Sequence, residues 1–245
     1  MTATLGPPTG SALFQVRWTV PAERIEAFDR WYDEEHLSDL VAVPGILLGR
    51  RFVRDVAYPF ASPLGMDFLT LYDAESVAVF SSDDFVAVGT ERTPRTVEVT
   101  EGLNPSFNFY RQITPEHGGL SGRGPQLSLT AGTAMMHVMT GCDSEAEDDF
   151  NRWYEEEHLP RLVEVDGVLH ARRFVESYGQ PSEGQRLPLR HLALYELADP
   201  AVASAPAFMH VGRATPWPDQ LAPHIESHAQ LYVQTIALPG PSAVV

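Results

Sequence analysis

One histidine-containing phrase occurs twice in the sequence. It reads WYDEEHL at residues 31–37 and WYEEEHL at residues 153–159. His36 and His158 each follow a tyrosine by four residues, which places both rings on one helix face. An imidazole there can serve as a general acid or base, because its ordinary pKa lies near neutral pH. The other interpretation is structural: the imidazole ties the helix end to a sheet, and a fold must be held in both copies whereas a reaction needs one site.

The phrase belongs to a longer internal repeat. Residues 28–53 and 150–175 align without a gap and are identical at 17 of 26 positions. Weaker matches follow at 70–75 against 193–198 and at 109–113 against 231–235, so each copy spans about 105 residues. We expect a first copy at 10–114, a Gly-, Ser- and Pro-rich linker at 115–131 and a second copy at 132–237.

Hydrophobic periodicity predicts the same element order, β-α-β-β-α-β, in each copy. In the first copy the strands are expected at 12–20, 46–53, 67–73 and 106–113, with a second helix at about 75–89. This order is the split ferredoxin-like unit, whose two helices cover only one face of its sheet. Two such sheets can bury their bare faces against each other. The sequence therefore predicts an α+β fold, an eight-stranded barrel with helices outside and a cavity between the sheets.

The repeated motif also resembles a known family. Tyr-x-x-x-His at 32–36 and Tyr-x-x-x-His-x-Pro at 154–160, each preceded by Trp and followed by Gly and Arg-Arg-Phe, resemble the EthD-like family of the dimeric α+β barrel superfamily. The first copy departs from that pattern with Ser38 in the proline position. The resemblance implies the barrel fold. It is unspecific for the reaction, since the superfamily includes polyketide cyclases, muconolactone isomerases, cofactor-free quinol-forming monooxygenases and haem proteins.

Strand alternation assigns polar residues to the barrel interior. In the first strand Phe14, Val16 and Trp18 form an apolar face for the helices, so Gln15 and Arg17 are expected inside. In the third strand we assign Leu69 and Leu71 to the helices. The remaining interior positions are then Phe68, Thr70, Tyr72, Asn108, Tyr110 and Gln112 in the first copy, and His137, Met139, His191, Ala193, Tyr195, His228, Gln230, Tyr232 and Gln234 in the second.

The interior of the second copy is predicted to be rich in histidine. The four candidates are His137, His170, His191 and His228, where the first copy has Gln15, Leu48, Phe68 and Ser106. A lone inward histidine is usually an ordinary core residue, but four on one sheet face favour a functional interpretation. We therefore expect the second copy to be the active half.

Two adjacent arginines follow the repeated helix in each copy, Arg50-Arg51 and Arg172-Arg173. Adjacent strand residues point to opposite faces. One arginine of each pair is expected to enter the cavity or to pair with helix carboxylates, most simply as a structural ion pair.

These residues predict a cofactor-independent enzyme: an isomerase, cyclase, dehydratase or other lyase acting on a small aromatic, polyketide-like or lactone substrate. A neutral histidine removes a proton, and tyrosine or a second histidine returns it. Arg17 stabilises an enolate or carboxylate from the opposite sheet. The catalytic candidates are His137, His191, Tyr195, Tyr232, His158 and His36. The substrate-binding candidates are Arg17, Gln15, Tyr72, Tyr110, His170, His228 and Gln230.

Two other functions stay open. His137, His191 and His228 could ligate a divalent metal, and one of them could ligate haem iron. No short, strong metal spacing supports this, and the leading hypothesis needs no cofactor. A non-enzymatic protein could instead sequester a hydrophobic metabolite in the same cavity.

Net charge, apolar runs and the cysteine count limit the kinds of partner and location that we expect. The formal charge of −16 disfavours nucleic acid and anionic membranes. No apolar run is long enough for a membrane span and no leader pattern appears at the start, so a cytoplasmic location is expected. The single cysteine, Cys142, excludes an internal disulfide and a cysteine metal cluster. Because the two copies bury their bare sheet faces against each other within one chain, we expect a monomer or a weak homodimer that binds a small molecule.

Overall fold

The first copy folds in the predicted element order. The structure, a computed structural model, describes residues 10–59, 66–113, 120–121, 132–179, 187–214 and 220–241. The strands of the first copy are β1 (Ala12–Trp18), β2 (Ile46–Arg54), β3 (Phe68–Ala74) and β4 (Ser106–Gln112). A 3₁₀ turn (Ala22–Arg24), α1 (Ile25–Trp31), a π-helical turn (Tyr32–His36) and α2 (Leu37–Val41) connect β1 to β2. A second 3₁₀ turn (Val77–Ser81), α3 (Asp83–Thr90) and α4 (Pro94–Thr100) connect β3 to β4, and α4 was not expected from the sequence.

The second copy repeats this order. Its strands are β6 (Ala134–Cys142), β7 (Val168–Gly179), β8 (His191–Leu197) and β9 (Ile225–Pro239). Its helices are α5 (Glu147–Trp153), a π-helical turn (Tyr154–His158), α6 (Leu159–Leu162) and α7 (Pro206–Ala214), with 3₁₀ turns at Pro200–Ser204 and Ala222–His224. Of the predicted linker at 115–131, Leu120 and Ser121 form a short strand, β5, that pairs with β7, and the rest lies outside the described residues.

The two sheets close into one antiparallel barrel. The strand order is β4-β1-β3-β2-β9-β6-β8-β7, and pairing of β4 with β7 closes the ring. Within each copy the fourth strand pairs with the first, the first with the third and the third with the second. Each seam joins the second strand of one copy to the fourth strand of the other. The predicted eight-stranded α+β barrel is confirmed. No helix in the described ranges has the length and apolar character that a membrane crossing requires.

The pairing register corrects the faces that we assigned to the third strand of each copy. Phe14 lies opposite Tyr72, and Gln15 lies opposite Leu71. Directly opposed residues share a face. Since Phe14 stacks on Tyr72 beneath the helices, with ring centroids 5.6 Å apart, Leu71 must face the interior. The residues that we wrongly placed inside the barrel are Phe68, Thr70, Tyr72, His191, Ala193 and Tyr195.

The physical reason for this error is that both faces of these strands are buried. All seven residues of β3 and all seven of β8 are buried, so hydrophobicity does not distinguish the helix side from the barrel side. The faces of the first strand could be assigned from the sequence, because polar Gln15 and Arg17 alternate with Phe14, Val16 and Trp18. That assignment is confirmed.

Side chains occupy the barrel interior. Its apolar part consists of Leu13, Phe52, Leu69, Leu71, Tyr110, Met135, Met139, Phe174, Leu189, Leu192, Leu194 and Tyr232. An eight-stranded barrel is just wide enough for side chains to fill it. Two clefts lie outside the barrel, between strands and helices.

Four charged residues form a buried cluster in the same interior. Arg50 Nη1 lies 2.8 Å from Glu196 Oε1, and Arg50 Nη2 lies 3.3 Å from Asp73 Oδ2. Arg172 pairs with Asp73 and lies 3.7 Å from Glu196 Oε1. Burial raises the pKa of Asp73, but Arg172 and Arg50 outweigh that effect and hold the pKa below its ordinary value. We call these four residues the ion cluster.

We predict that Asp73→Ala lowers the free energy of unfolding by about 3–5 kcal/mol, because it leaves Arg50 and Arg172 with one carboxylate between them inside the barrel. Urea denaturation followed by circular dichroism measures the change. Glu26→Ala is the control, since it removes an exposed pair with Arg30 and should cost less than about 1 kcal/mol. Equal effects of the two substitutions would contradict a stabilising role for the ion cluster.

Candidate functional site

The repeated phrase folds as a π-helical turn in both copies. The wider turn brings residues five apart onto one side of the helix. The rings of Trp31 and His36 therefore stack, with centroids 4.5 Å apart and planes inclined by 19°. Trp153 and His158 stack in the same way, at 4.4 Å and 24°. Single π-helical turns are rare and occur frequently at functional sites.

The acidic residues of the phrase hold the surrounding structure. In the first copy Asp33 Oδ1 accepts a hydrogen bond of 2.9 Å from Arg51, whose guanidinium lies 5.0 Å from the centre of the Tyr32 ring. Glu34 pairs with Arg95 of α4 at 2.9 Å. These contacts fix the π-helical turn between the sheet below and α4 beside it.

A second set of contacts docks α4 on the stacked pair. Trp31 Nε1 donates to Thr96 Oγ1 at 3.0 Å, and Thr96 Oγ1 donates to Glu35 Oε1 at 3.2 Å. Thr93, the N-cap of α4, also donates to Glu35. The indole edge is therefore held in place while the His36 ring lies against its face.

A cleft of about 540 Å³ opens between this turn and the helices α3 and α4. We call it the His36 cleft. It is lined by Trp18, Trp31, His36, Val88, Gly89, Arg92, Thr96, Val97, Thr100, Glu101, Gly102, Leu103, Asn104 and Pro105. Most of its surface is aromatic or aliphatic. The basic side chains on it are His36 and Arg92, and the acidic one is Glu101. Such a pocket suits a flat organic molecule with a polar group.

The environment of His36 keeps its ring neutral. Burial lowers the pKa of His36 to about 4, Glu35 opposes this shift and Arg92 adds to it. At neutral pH the imidazole is therefore uncharged and can accept a proton or a hydrogen bond.

The equivalent histidine of the second copy is more enclosed. His158 is 8% exposed, and burial together with Arg173 lowers its pKa to about 3. Its ring meets the edge of Tyr195 with centroids 6.2 Å apart. Tyr195 itself packs with Tyr154 beneath the helices instead of facing the barrel interior. His158 thus contributes to the core, whereas His36 lines a cleft.

His137 does lie inside the barrel, as predicted. Its Nε2 bonds to Gln15 Oε1, Gln15 Nε2 donates to Asn108 Oδ1 at 3.3 Å, and Asn108 Nδ2 donates to Glu176. His137 is 2% exposed, and burial together with Arg17 lowers its pKa to about 3. This chain of hydrogen bonds links the interior to Glu176 at the barrel edge.

The other interior candidates are held by protein groups. Arg17 donates to Met139 Sδ at 3.1 Å and to Ser106 Oγ at 2.9 Å. Burial raises the pKa of Tyr232 to about 12, and its hydroxyl donates to the Met66 carbonyl at 3.2 Å. The further candidates Tyr110, His170, His228 and Gln230 also lie on the interior side of their strands.

His191 is separated from the other predicted metal ligands. It lies on the helix side of β8, with Nε2 3.3 Å from Glu147 Oε1 and its ring 4.9 Å from that of Phe150. His137 and His228 lie on the opposite face of the sheet. The proposed set of His137, His191 and His228 therefore cannot bind one metal ion.

A different group among the described residues brings potential metal ligands together. Donor atoms of Asp143, Glu145 and His224 lie within 4.8 Å of one another. His224 Nδ1 is 3.1 Å from Asp143 and 3.3 Å from Glu145, distances that fit an ordinary hydrogen-bonded cluster near the surface.

Sequence reasoning missed the carboxylates of the ion cluster and the whole of α4. Asp73 and Glu196 occupy equivalent positions in TLYDAE and ALYELA, so a recurrent acid within a buried strand was the available signal. Both predicted outcomes occur for the paired arginines: Arg50 and Arg172 enter the barrel, whereas Arg51 and Arg173 pair with helix side chains. Nothing in the sequence pattern pointed to Arg92.

Comparisons with known proteins show the fold. No protein-family model matches the chain, and no curated protein matches it in sequence. An anthrone oxidase-like protein of solved structure matches with a TM-score of 0.57 at 9% identity, covering 96% of this chain and 94% of the other. A DypB variant of Rhodococcus jostii RHA1 in complex with haem matches with a TM-score of 0.56 at 12% identity, covering 97% and 96%. A Lactobacillus acidophilus protein with a provisional monooxygenase assignment matches with a TM-score of 0.53 at 11% identity, covering 94% and 96%. The neighbours share the α+β barrel fold with this chain and do not single out the EthD-like family.

The buried neutral histidines make stability depend on pH. The unfolded chain protonates a histidine near pH 6.5, whereas folded His137 resists protonation until about pH 3. Protonation therefore favours unfolding between these values, and stability falls as the pH is lowered. His137 alone should account for about 2–3 kcal/mol lost between pH 7 and pH 4.5.

Urea denaturation at pH 7 and pH 4.5 measures this prediction. His137→Gln introduces the residue found at the equivalent position of the first copy and should reduce the pH dependence by the same amount. An unchanged pH dependence in that variant would show that His137 is not held neutral by burial.

Proposed function

We propose that the protein is an enzyme that removes a proton from a small aromatic or polyketide-like substrate bound in the His36 cleft. The observation that carries this proposal is the combination of a neutral imidazole and a guanidinium group on one largely apolar cleft wall. The barrel fold is shared with an anthrone oxidase-like protein and a DyP-type peroxidase, and it is compatible with this proposal. The reaction belongs to the isomerase, cyclase or lyase type and needs no cofactor.

The two polar groups have complementary roles in this mechanism. His36 accepts a proton from an acidic carbon or hydroxyl of the substrate, and the electron pair stays on the substrate as an enolate or phenolate. Arg92 stabilises the oxygen that becomes negative. The imidazolium that forms lies near Glu35, which favours the charged ring. Return of the proton at another atom completes an isomerisation or cyclisation.

The proposed catalytic site lies in the first copy, whereas the sequence led us to expect it in the second. Our candidates for the base were His137 and His191, and those for the acid were Tyr195 and Tyr232; all four side chains are buried. Their catalytic role stays a prediction. The same carbanion could also react with dioxygen, as the name of the anthrone oxidase-like neighbour suggests. Oxygen uptake during turnover distinguishes that outcome from isomerisation.

Haem binding is a second candidate, favoured by the neutral imidazole on the cleft wall. A neutral ring is a competent iron ligand, and one fold neighbour is described in complex with haem. His36 would hold the iron and Arg92 would pair with a propionate. Bound haem would supply one-electron and oxygen chemistry. Titration with haemin tests this: an absorption band that forms with the wild type and is lost in His36→Gln would favour haem over the cofactor-independent reaction.

We predict that His36→Gln lowers proton-transfer activity by about 10²–10⁴-fold, the usual effect of removing a general base. The assay follows deuterium exchange of acidic protons by NMR in D₂O with an anthrone, a β-diketone and a butenolide lactone. Activity of the wild type should rise through about pH 4 and then level off, because only neutral His36 accepts the proton.

His158→Gln is the matched control, since it changes the same motif in the other copy. It should lower the melting temperature more than His36→Gln does and leave the exchange rate near that of the wild type. Loss of exchange in His158→Gln with retention in His36→Gln would transfer the proposed site to the second copy.

A further inference from the structure

A second cleft, of about 460 Å³, lies on the outer face of the second copy. It is bounded by α5 and by the neighbouring strands β4, β7 and β8. Arg111 lies opposite Val175, and Val175 lies opposite His191, so the three form one row across these strands. Neighbouring strands are about 4.8 Å apart, which places Arg111 and His191 about 10 Å from each other at the backbone.

Two arginines on this cleft have no side-chain partner among the described residues. Arg173 is held by Glu155 at 3.1 Å and by Asn151 at 2.7 Å. The guanidinium groups of Arg111 and Arg190, by contrast, make no hydrogen bond or ion pair within the described ranges, although both line the cleft. The chain has 33 acidic and 17 basic residues. Two arginines at one cleft without an acidic partner among the described residues are therefore a distinctive feature.

His191 adds a buried hydrogen-bond acceptor. It is 5% exposed and lines the same cleft. Burial lowers the pKa of His191 to about 4, with smaller contributions from Arg173 and Arg190, so the ring is neutral at pH 7. Because Nε2 faces the Glu147 carboxylate at 3.3 Å, the ring proton belongs on Nε2 and leaves Nδ1 as an acceptor. Nδ1 is buried and has no donor among the described residues. A buried polar atom without a partner is unfavourable, so a ligand hydroxyl would satisfy it.

The first copy fills the equivalent space with apolar side chains. Phe68 and Ile25 stand where the second copy has His191 and Glu147. Phe68 is 3% exposed and covers the guanidinium of Arg51, which lies 5.0 Å from its ring centre. The polar pair of His191 and Glu147 is therefore found in the second copy only.

The charged residues at the rim also differ between the copies. In the first copy Arg54 pairs with Asp67 at 2.9 Å. The equivalent residues of the second copy are Glu176 and Arg190, with the charges exchanged. Glu176 accepts a hydrogen bond from Asn108 of the interior chain, so Arg190 is left for a ligand.

We propose that this cleft binds a small hydroxy carboxylate. Its carboxylate lies between Arg111 and Arg190, and its hydroxyl donates to Nδ1 of His191. Three carboxylates also line the cleft, and each has a protein partner: Glu155 bonds to Arg173, Glu147 faces His191 and Glu176 accepts from Asn108. The remaining cations, Arg111 and Arg190, favour an anionic ligand, and the imidazole acceptor favours a donor on the same molecule. The site is separate from the His36 cleft, so it goes beyond the proposed function.

Isothermal titration calorimetry of the full chain with the three isomers of hydroxybenzoate tests the proposal, with benzoate and phenol as probes that each lack one group. At least one hydroxybenzoate should bind about tenfold more tightly than either, which corresponds to one good hydrogen bond. Arg190→Ala should weaken hydroxybenzoate and benzoate alike. His191→Phe, which borrows the residue of the first copy, should weaken only hydroxybenzoate.

Arg152→Ala, an exposed arginine on α5 paired with Asp149, is the matched control and should change neither affinity. Hydroxybenzoates that bind no better than benzoate, or affinities that His191→Phe and Arg190→Ala leave unchanged, would overturn the proposal. Loss of binding in His36→Gln instead would assign the ligand to the other cleft. Because His36→Gln should otherwise keep full hydroxybenzoate affinity, this result is independent of whether the proposed proton transfer occurs.

Discussion

The ion cluster inside the barrel determines how the rest of the molecule is arranged. Arg50 and Asp73 come from the first copy, and Arg172 and Glu196 occupy the equivalent positions of the second. Each arginine reaches carboxylates of both copies, so no charge is compensated by its own half alone. Buried charges are tolerated only when they are paired with good geometry. The two sheets must therefore close against each other in one register.

This constraint explains why the candidate sites lie outside the barrel. The space between the sheets holds the ion cluster, its apolar neighbours and a chain of buried polar groups that includes His137. The two clefts lie between the strands and the helices. The duplication allowed the copies to differ there: His36 lines a cleft while His158 is enclosed, and His191 replaces the packed Phe68.

The sequence predicted the architecture because its signals are long and repeated. Two copies of one alternating pattern, with a helix phrase identical at most positions, specify two ferredoxin-like halves. The faces of β3 and β8 were not predictable, since strands buried on both sides carry no amphipathic signal. The π-helical turn was not predictable either, because His36 follows Tyr32 by four residues and Trp31 by five. It contacts both rings, and only the structure shows that it stacks on Trp31 and meets Tyr32 edge to face. Interior placement of Gln15 and Arg17 was correct, because these polar residues alternate with Phe14, Val16 and Trp18. His137 was placed correctly because it occupies the position of Gln15 in the second copy.

The central claim is that the functional site is the His36 cleft and not the barrel interior. Crystals soaked with 1-naphthol, a flat and uncharged aromatic probe with one hydroxyl, test it most directly. The account predicts that the probe lies among Trp18, Trp31 and His36, with its hydroxyl near the imidazole. A probe found between the two sheets, beside His137 and Tyr232, would contradict it.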